Sequence, residues 1–404
     1  MKSLICLLIL WGTTSLGAVE EPLSEAEIVF CLGTSTAFTD IQGRESQADE
    51  ALVVSVRDTG AKGDGESDDT AAFQAAVDRV AGSGGTVNVP AGTYMIDAET
   101  SVQLKSKMTF RMAAGTKLKA KPNDLENSAI LSLRSASSVI VSGGVLEGER
   151  RAHRGKTGEW GHGMHLDNAT DISITGVEAK DCWGDGFYVA GAKTSHVTFD
   201  KIKADHNRRQ GMSIVAGKHI TIRDSEFQNT AGTLPETGID IEPNEGDAVT
   251  DTHILRCTFT NNAGGGIYIG PAEVDMKTTF VTETVVEQCT FVDNGRHSID
   301  PPAYGIRLSA CAGNTLKNNS IKGHTGIGMG IFKTRNAQVL QNTVTGTRAS
   351  GRGPEVGSGL LFGEDKGSLC FGNTVRGNAG KGIFQYDSDV KLSDNELADN
   401  GDDQ

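Results

Sequence analysis

From Gly163 onward, short stretches of alternating apolar and polar residues recur, each behind a glycine. Examples are GMHLDNATDISITGVEAKDCWGD, GFYVAGAKTSHVTFDKIKADHNRRQ, GMSIVAGKHITIRDSEFQNT and GIDIEPNEGDAVTDTHILRCTFTNN. The leading glycines stand at 163, 186, 211, 238, 266, 305, 359 and 382, with a less regular turn near Gly328 or Gly330. Alternation with period two over a few positions predicts strands, and self-similarity at a period in the twenties predicts a solenoid. One such turn cannot bury its apolar face; stacked turns form a continuous interior column of Ile, Val, Leu and Phe. The expected architecture is therefore all-β, a parallel β-helix. The Asn in CTFTNN, CTFVDN, TLKNN and LCFGN suits a left-handed turn residue repeated in each coil. Upstream the period changes: in SDDTAAFQAAVDRVAG, Phe73, Ala76, Val77 and Val80 fall at i, i+3, i+4 and i+7. That spacing predicts a short helix, N-capped by Asp68 or Asp69, closing the N-terminal end of the column.

Composition narrows this picture. The chain opens MKSLICLLILWGTTSLGA, a lysine followed by an apolar run and small residues, which reads as a signal peptide over residues 1–18. Residues 19–50 carry no clear period and are expected to be a leader or loose cap; residues 51–404 are expected to form the single β-helix domain. The expected location is secreted or periplasmic, with no membrane span and a monomeric state. Fifty-one Gly against nine Pro suit short strands and tight turns. A formal charge of -14 excludes a nucleic-acid partner, since phosphate binding requires a basic face. The cysteines show no CxxC pair, which argues against zinc, and the matching contexts RCTF and QCTF place Cys257 and Cys289 on different turns, as buried thiols in preference to a disulfide, which export would permit.

The stretch DTGAKGDGESDDTAAFQAAVDRVAGSGGTVNVPAGTYMI, Asp58 to Ile96, resembles the opening of the pectate-lyase superfamily, which includes polygalacturonases, rhamnogalacturonases, alginate-epimerase modules and phage tailspikes. The resemblance implies a right-handed coil. It leaves the reaction open, because hydrolases, lyases, epimerases and adhesins share that opening. WGDGFYV looks like the Asn-Thr-Asp-Gly strand of polygalacturonases, which implies their catalytic acid at Asp185. Where those enzymes carry paired aspartates this chain has RRQGMSI, and its one Gly-His-Gly, Gly161 to Gly163, comes earlier than theirs. IDPPAYG, near Asp300, is a loose echo of the alginate-epimerase motif.

Stacked turns lie roughly 4.8 Å apart, so alignment on the leading glycines shows which side chains become neighbours. One residue before the glycine come His162, Asp185, Gln210 and Thr237. Two residues after it, in the outward phase, come His165, Tyr188, Ser213, Asp240, Tyr268 and Arg307. Trp160 and Trp183 fall one turn apart and predict an aromatic platform for sugar rings. Arg208 and Arg209 predict a two-pronged grip on carboxylates, and Glu236 joins His165 and Tyr188 as a further substrate contact. An acidic, uronic-acid-containing glycan is the natural ligand. The preferred reaction is β-elimination, with Arg209 or His162 as base and Ca²⁺ held by Asp185, Asp240 and Glu242; no organic cofactor is expected. The first alternative is inverting hydrolysis by Asp185 and Asp240, two turns and roughly 9.6 Å apart. C5-epimerisation and non-catalytic glycan binding complete the field.

Overall fold

A computed structural model describes residues 52–271, 280–296 and 303–401. The apolar leader, Cys6, Cys31 and Asp300 lie outside these residues. Residues 51–404 form one compact unit.

The described chain folds into three long parallel sheets of 13, 13 and 11 strands. Beyond the first coil each strand pairs with the one three strands further along, so every coil except the first and the last contributes one strand to each sheet. This is the predicted parallel β-helix. Interior positions are filled as the alternation requires, with Ile174, Val189, Ile214, Ile241 and Ile269 buried in the column. Where three coils superpose Phe227, Phe259 and Phe291, the rings stack at 5.2 and 4.6 Å with planes within 8° of parallel.

Close approach of neighbouring coils explains the glycines that lead the repeats, and at Gly211, Gly238 and Gly266 the stacked rings add to the crowding. A Cβ at Gly211 would lie 2.5 Å from the Gly238 carbonyl and 2.9 Å from Phe227 Cδ1; at Gly238 it would lie 2.6 Å from Phe259 Cδ1. The leading position faces inward against a neighbouring coil, and no side chain fits there.

The helix Thr70–Val80 covers the N-terminal end as predicted, with Phe73, Ala76, Val77 and Val80 fully buried. The two candidate caps divide the work. Asp68 Oδ1 accepts from the Thr70 N–H (3.0 Å), whereas the Asp69 carboxylate accepts from the Lys62 and Gly63 N–H groups (2.6 and 3.1 Å) and ties the preceding loop down. Among the described residues no helix is long and apolar enough to cross a membrane.

The asparagine motifs also resolve into two roles. The first residue of each pair, as in Asn261, Asp293 and Asn318, takes the left-handed conformation. The second turns inward and bonds the next coil: Asn262 Nδ2 donates to Asn294 Oδ1 (2.9 Å), and Asn319, Asn342 and Asn373 continue a second ladder to Asn395 (3.0, 3.0 and 2.9 Å). Such chains satisfy buried backbone and amide groups at the corners. Cys182, Cys257, Cys289, Cys311 and Cys370 are free buried thiols, and the Cys257 N–H meets Cys289 Sγ at 3.4 Å, one coil away.

Candidate active site

The outward column read from the sequence is present in the 11-stranded sheet. Its register runs His165, Tyr188, Ser213, Asp240, Tyr268 and Arg307 on successive strands. The strands Trp160–Asp167, Phe187–Ala190, Met212–Ile214, Thr237–Ile241, Gly265–Ile269 and Tyr304–Ser309 carry it. Because all of them are parallel and in register, the column is a straight groove floor across the strands.

The middle of the floor is occupied by Arg209. Its neighbour Ser213 is small, which leaves room for the guanidinium to lie over it, with Nη1 donating to Ser213 Oγ at 3.4 Å. Three carboxylates surround it: Glu159 at 3.1 Å from Nε, Asp185 at 3.7 Å from Nη1, and Glu242 at 3.7 Å from Nη2. Burial acts to lower the Arg209 proton affinity, but the charges of Asp185, Asp240, Glu242 and Glu159 outweigh it and hold that affinity above the usual arginine range. Arg209 is therefore a fixed cation. A base must be able to shed its proton, and this environment opposes the base role expected from the sequence.

Asp185 sits behind Arg209, with no exposed surface, and neither carboxyl oxygen has a hydrogen-bond partner. Burial pushes its acid up to about 7; Arg209, with weaker help from Ser213 and the Gln210 backbone, pulls the other way. With no exposed surface and no place in the lining of either recess along this sheet, the Asp185 carboxyl does not meet a glycan, so the catalytic-acid role that the polygalacturonase resemblance implied does not suit this position. His162 is almost wholly covered as well, only its edge reaching a recess. Its ring stacks on Tyr188 at 4.5 Å and its Nδ1 accepts the Asp185 N–H at 3.3 Å; burial drives its proton affinity well below the ordinary histidine value. That nitrogen is engaged, and the ring is not placed to remove a substrate proton.

Two acids remain that face the groove. Asp240 and Glu242 flank the inward Ile241, and the Glu242 N–H continues the ladder to the Ile214 carbonyl, so both carboxyls project to the same side. Alternate residues of a strand lie about 6.6 to 6.8 Å apart at Cα, so the two side chains rise from neighbouring points on one face of the sheet. Asp240 is almost enclosed. Burial, reinforced by Glu242, raises its proton affinity well above the usual carboxylate range. Burial also raises Glu242, while Arg209 and Arg307 draw it back, and its side chain remains 35% exposed. Two interacting acids titrate as a pair, the proton staying on the more buried member.

The orientation of Asp240 is set by Gln210. Thr237 donates from its backbone N–H and its hydroxyl to Gln210 Oε1 (2.8 and 2.6 Å), which turns the amide nitrogen toward Asp240 Oδ2 at 2.7 Å. That oxygen is thereby an acceptor, leaving Oδ1 to carry the proton. Asp240 and Glu242 share a recess with Tyr268, Arg307 and Ser309. Arg307 Nε is buried there without a hydrogen-bond partner, and the guanidinium lies 5.7 Å from the rings of both Tyr268 and Tyr304. Among the described residues it forms no ion pair.

Further along the groove a second recess is lined by Trp160, His162, His165 and Tyr188, with Trp160 44% exposed. The two-indole platform does not form. Trp183 is covered instead, stacked on His153 at 3.8 Å with Arg208 3.8 Å over its ring, and its Nε1 donates to the Thr157 carbonyl at 3.4 Å. Arg208 is directed to the carbonyls of Gly158 and Trp183 (2.9 and 3.2 Å), so it fastens the loop over residues 148–158 and is not free to grip a ligand. Glu236 is buried and accepts the Gly232 N–H at 2.5 Å, a loop-closing role in place of the substrate contact expected.

Asp185, Asp240 and Glu242 do not converge as a Ca²⁺ cage. Asp185 and Glu242 both turn to the Arg209 guanidinium, Asp240 takes the Gln210 amide, and among the described residues no group of three His, Cys, Asp or Glu is arranged to hold a metal. Calcium prefers six to eight oxygen ligands, and here an arginine stands between the carboxylates. Activity is accordingly expected to be unchanged after dialysis against EDTA, read as initial rate on the substrate; a loss restored by added Ca²⁺ would show that a metal is required.

Gln210, Glu159, Tyr268 and Arg307 carry no role in the sequence reading. The register alignment places Gln210, Tyr268 and Arg307 beside the acids, so a count of outward polar side chains would have found them. Glu159 arrives from a loop and has no such signal.

The described coil, with carboxylates and arginines set side by side along one sheet, defines a parallel β-helix protein. Residues 53–285 match the family described as rhamnogalacturonase A/epimerase, pectate lyase-like, and residues 283–403 match the right-handed β-helix region. The first match spans more than half of the chain, and the protein belongs to that family. Mannuronan C5-epimerase AlgE5 of Azotobacter vinelandii is 28% identical over 279 residues, 65% of this chain and 26% of the relative. An exopolygalacturonase of Arabidopsis thaliana is 27% identical over 336 residues, 78% and 61% of the two chains. The A-module of Azotobacter vinelandii mannuronan C5-epimerase AlgE4 superposes with a TM-score of 0.60 at 21% identity, covering 85% of this chain and 95% of the module; this likeness is one of fold. The chain spans less than two thirds of the length of the curated relatives it matches.

Proposed function

We propose that the protein is an exported glycoside hydrolase acting on an acidic polysaccharide, with Asp240 as general acid and Glu242 as general base. The observation that carries this reading is the Asp240–Glu242 pair, one member nearly covered but lining the recess and holding its proton, the other open to the groove and beside Arg209. Environments that separate two carboxyl groups in this way mark acid and base assignments. In the step inferred, Asp240 gives its proton to the glycosidic oxygen as the C–O bond breaks. Glu242 takes a proton from the water whose oxygen bonds to the anomeric carbon.

Arg307 supports an acidic sugar, since its half-buried guanidinium lines the recess, its Nε has no hydrogen-bond partner, and among the described residues no carboxylate pairs with it at ion-pair distance. Trp160 supports stacking of a second ring further along the groove. The uronan-related names of the relatives point to the same class of polymer. Elimination, the reaction preferred from the sequence, loses its support because Arg209 is held charged and His162 Nδ1 is occupied by the Asp185 N–H.

The test is a screen of polygalacturonate, alginate and other acidic polymers, scored together for new reducing ends and for the ultraviolet absorbance of an unsaturated uronate. Reducing ends without absorbance are expected. Absorbance rising with the ends would establish elimination instead, and a changed uronate configuration without cleavage would establish epimerisation.

A further inference from the structure

Asp185 is the one fully buried acid of the cluster that the proposed reaction leaves unused, and its setting is unusual. It is wholly buried on the turn before the strand Phe187–Ala190, yet both oxygens lack hydrogen bonds. Arg209 Nη1 lies at 3.7 Å and His162 Nδ1 at 3.6 Å, and the Ser213 hydroxyl and the Gln210 N–H also act on it. An acid kept this way at the cost of desolvation serves the cation it faces. That cation reaches Glu242 with its other nitrogen, at 3.7 Å. Three carboxylates from three separate segments thus meet on one guanidinium, and Asp185 is the one among them with no exposed surface.

We propose that Asp185 is a positioning residue that clamps Arg209 over the groove floor and, through it, governs the alkaline limit at which the Asp240–Glu242 pair works. This rests on the acid and base roles given above.

The sign follows from the charges that face the site. Around Asp185 stand His162 from the strand Trp160–Asp167, Glu159 just before it, Tyr188, Cys182, Arg209, Asp240 and Glu242. Near its own titration, about 7, Asp185 is shared between a neutral acid and an anion. Below that pH it is neutral and leaves Arg209 to Glu159 and Glu242. Above it, the anion draws on Arg209 and adds negative potential at Asp240, whose proton it helps retain. A general acid that keeps its proton to higher pH extends the alkaline limb of activity.

The experiment compares wild type with Asp185→Asn. The alkaline limb of kcat/KM is expected to move to lower pH by about one unit, the size of a unit charge removed across two coils. The acidic limb is expected to stay in place, because there Asp185 already carries its proton. An unmoved alkaline limb, with or without a lower melting temperature, overturns the proposal and leaves a packing role. A loss of roughly a thousandfold or more at every pH, the scale of a lost acid or base, overturns it in the other direction, making Asp185 catalytic.

A second measurement needs neither activity nor a variant. With ¹³C-labelled aspartate, the Asp240 carboxyl carbon of the wild-type protein is expected to show an inflection that tracks the titration of Asp185. Its absence refutes the coupling. Retained hydrolysis in Glu242→Gln would refute the acid–base roles while leaving this coupling measurable.

Discussion

Glu242→Gln is expected to remain folded and to lose about 10²–10⁴-fold in kcat, the usual contribution of a positioned acid or base. The amide keeps the shape of the side chain and its place beside Arg209, but it cannot take a proton from water. Asp240→Asn is expected to fall comparably, since the amide has no acidic proton to give the leaving oxygen. In that variant the Gln210 amide, fixed by Thr237, still meets an oxygen when the new carboxamide turns its oxygen toward it, so the fold is kept. The check is steady-state kinetics on the polymer identified by the screen, alongside circular dichroism of each variant. Either variant working within about tenfold of wild type would remove that residue from the chemistry. The two losses should not add, because acid and base act in one step and removing either already disables it.

The second large effect concerns stability. Phe259→Ala is expected to cost about 3–5 kcal/mol, the range for a buried aromatic truncated in a core that cannot fully collapse. Phe259 lies between Phe227 and Phe291, and its Cδ1 also fills the space over Gly238. The cavity would be bounded by rigid coils on both sides, so relaxation is limited. Because coils interact chiefly with their neighbours, the loss should appear as a lower urea midpoint of the central coils. Hydrogen exchange should localise it to the strands around Thr258–Thr260 and Thr290–Val292. A change under about 1 kcal/mol would mean that the aromatic stack is not a principal tie of the column.

The same regularity makes much of this molecule readable from its residues. A glycine at the start of each coil and strict alternation behind it fix which residues stack. His165, Tyr188, Ser213, Asp240, Tyr268 and Arg307 accordingly fall in the order expected. The capping helix is equally plain, since its four buried residues repeat at helical spacing. Side-chain roles are less legible. Alignment places Asp185 and Asp240 in adjoining columns but carries no information on depth. Whether each acid faces water depends on what lies over it, and Arg209 lies over Asp185. The same alignment puts Trp183 in the groove, whereas its ring is covered by His153, which lies 30 residues earlier in the sequence on a loop with no period.

By itself, then, the sequence determined the coil, its register and the helix that closes one end, because those follow from local alternation repeated many times and from the absence of room beside each leading glycine. The tertiary structure alone decided which of the aligned acids can meet a substrate. That choice is made by long side chains and irregular loops: Arg209 extending over the small Ser213, Gln210 turned by Thr237, and the 148–158 loop folding His153 onto Trp183. Contacts of this kind join residues through space with no period to announce them, and they set the burial and charge on which proton transfer depends.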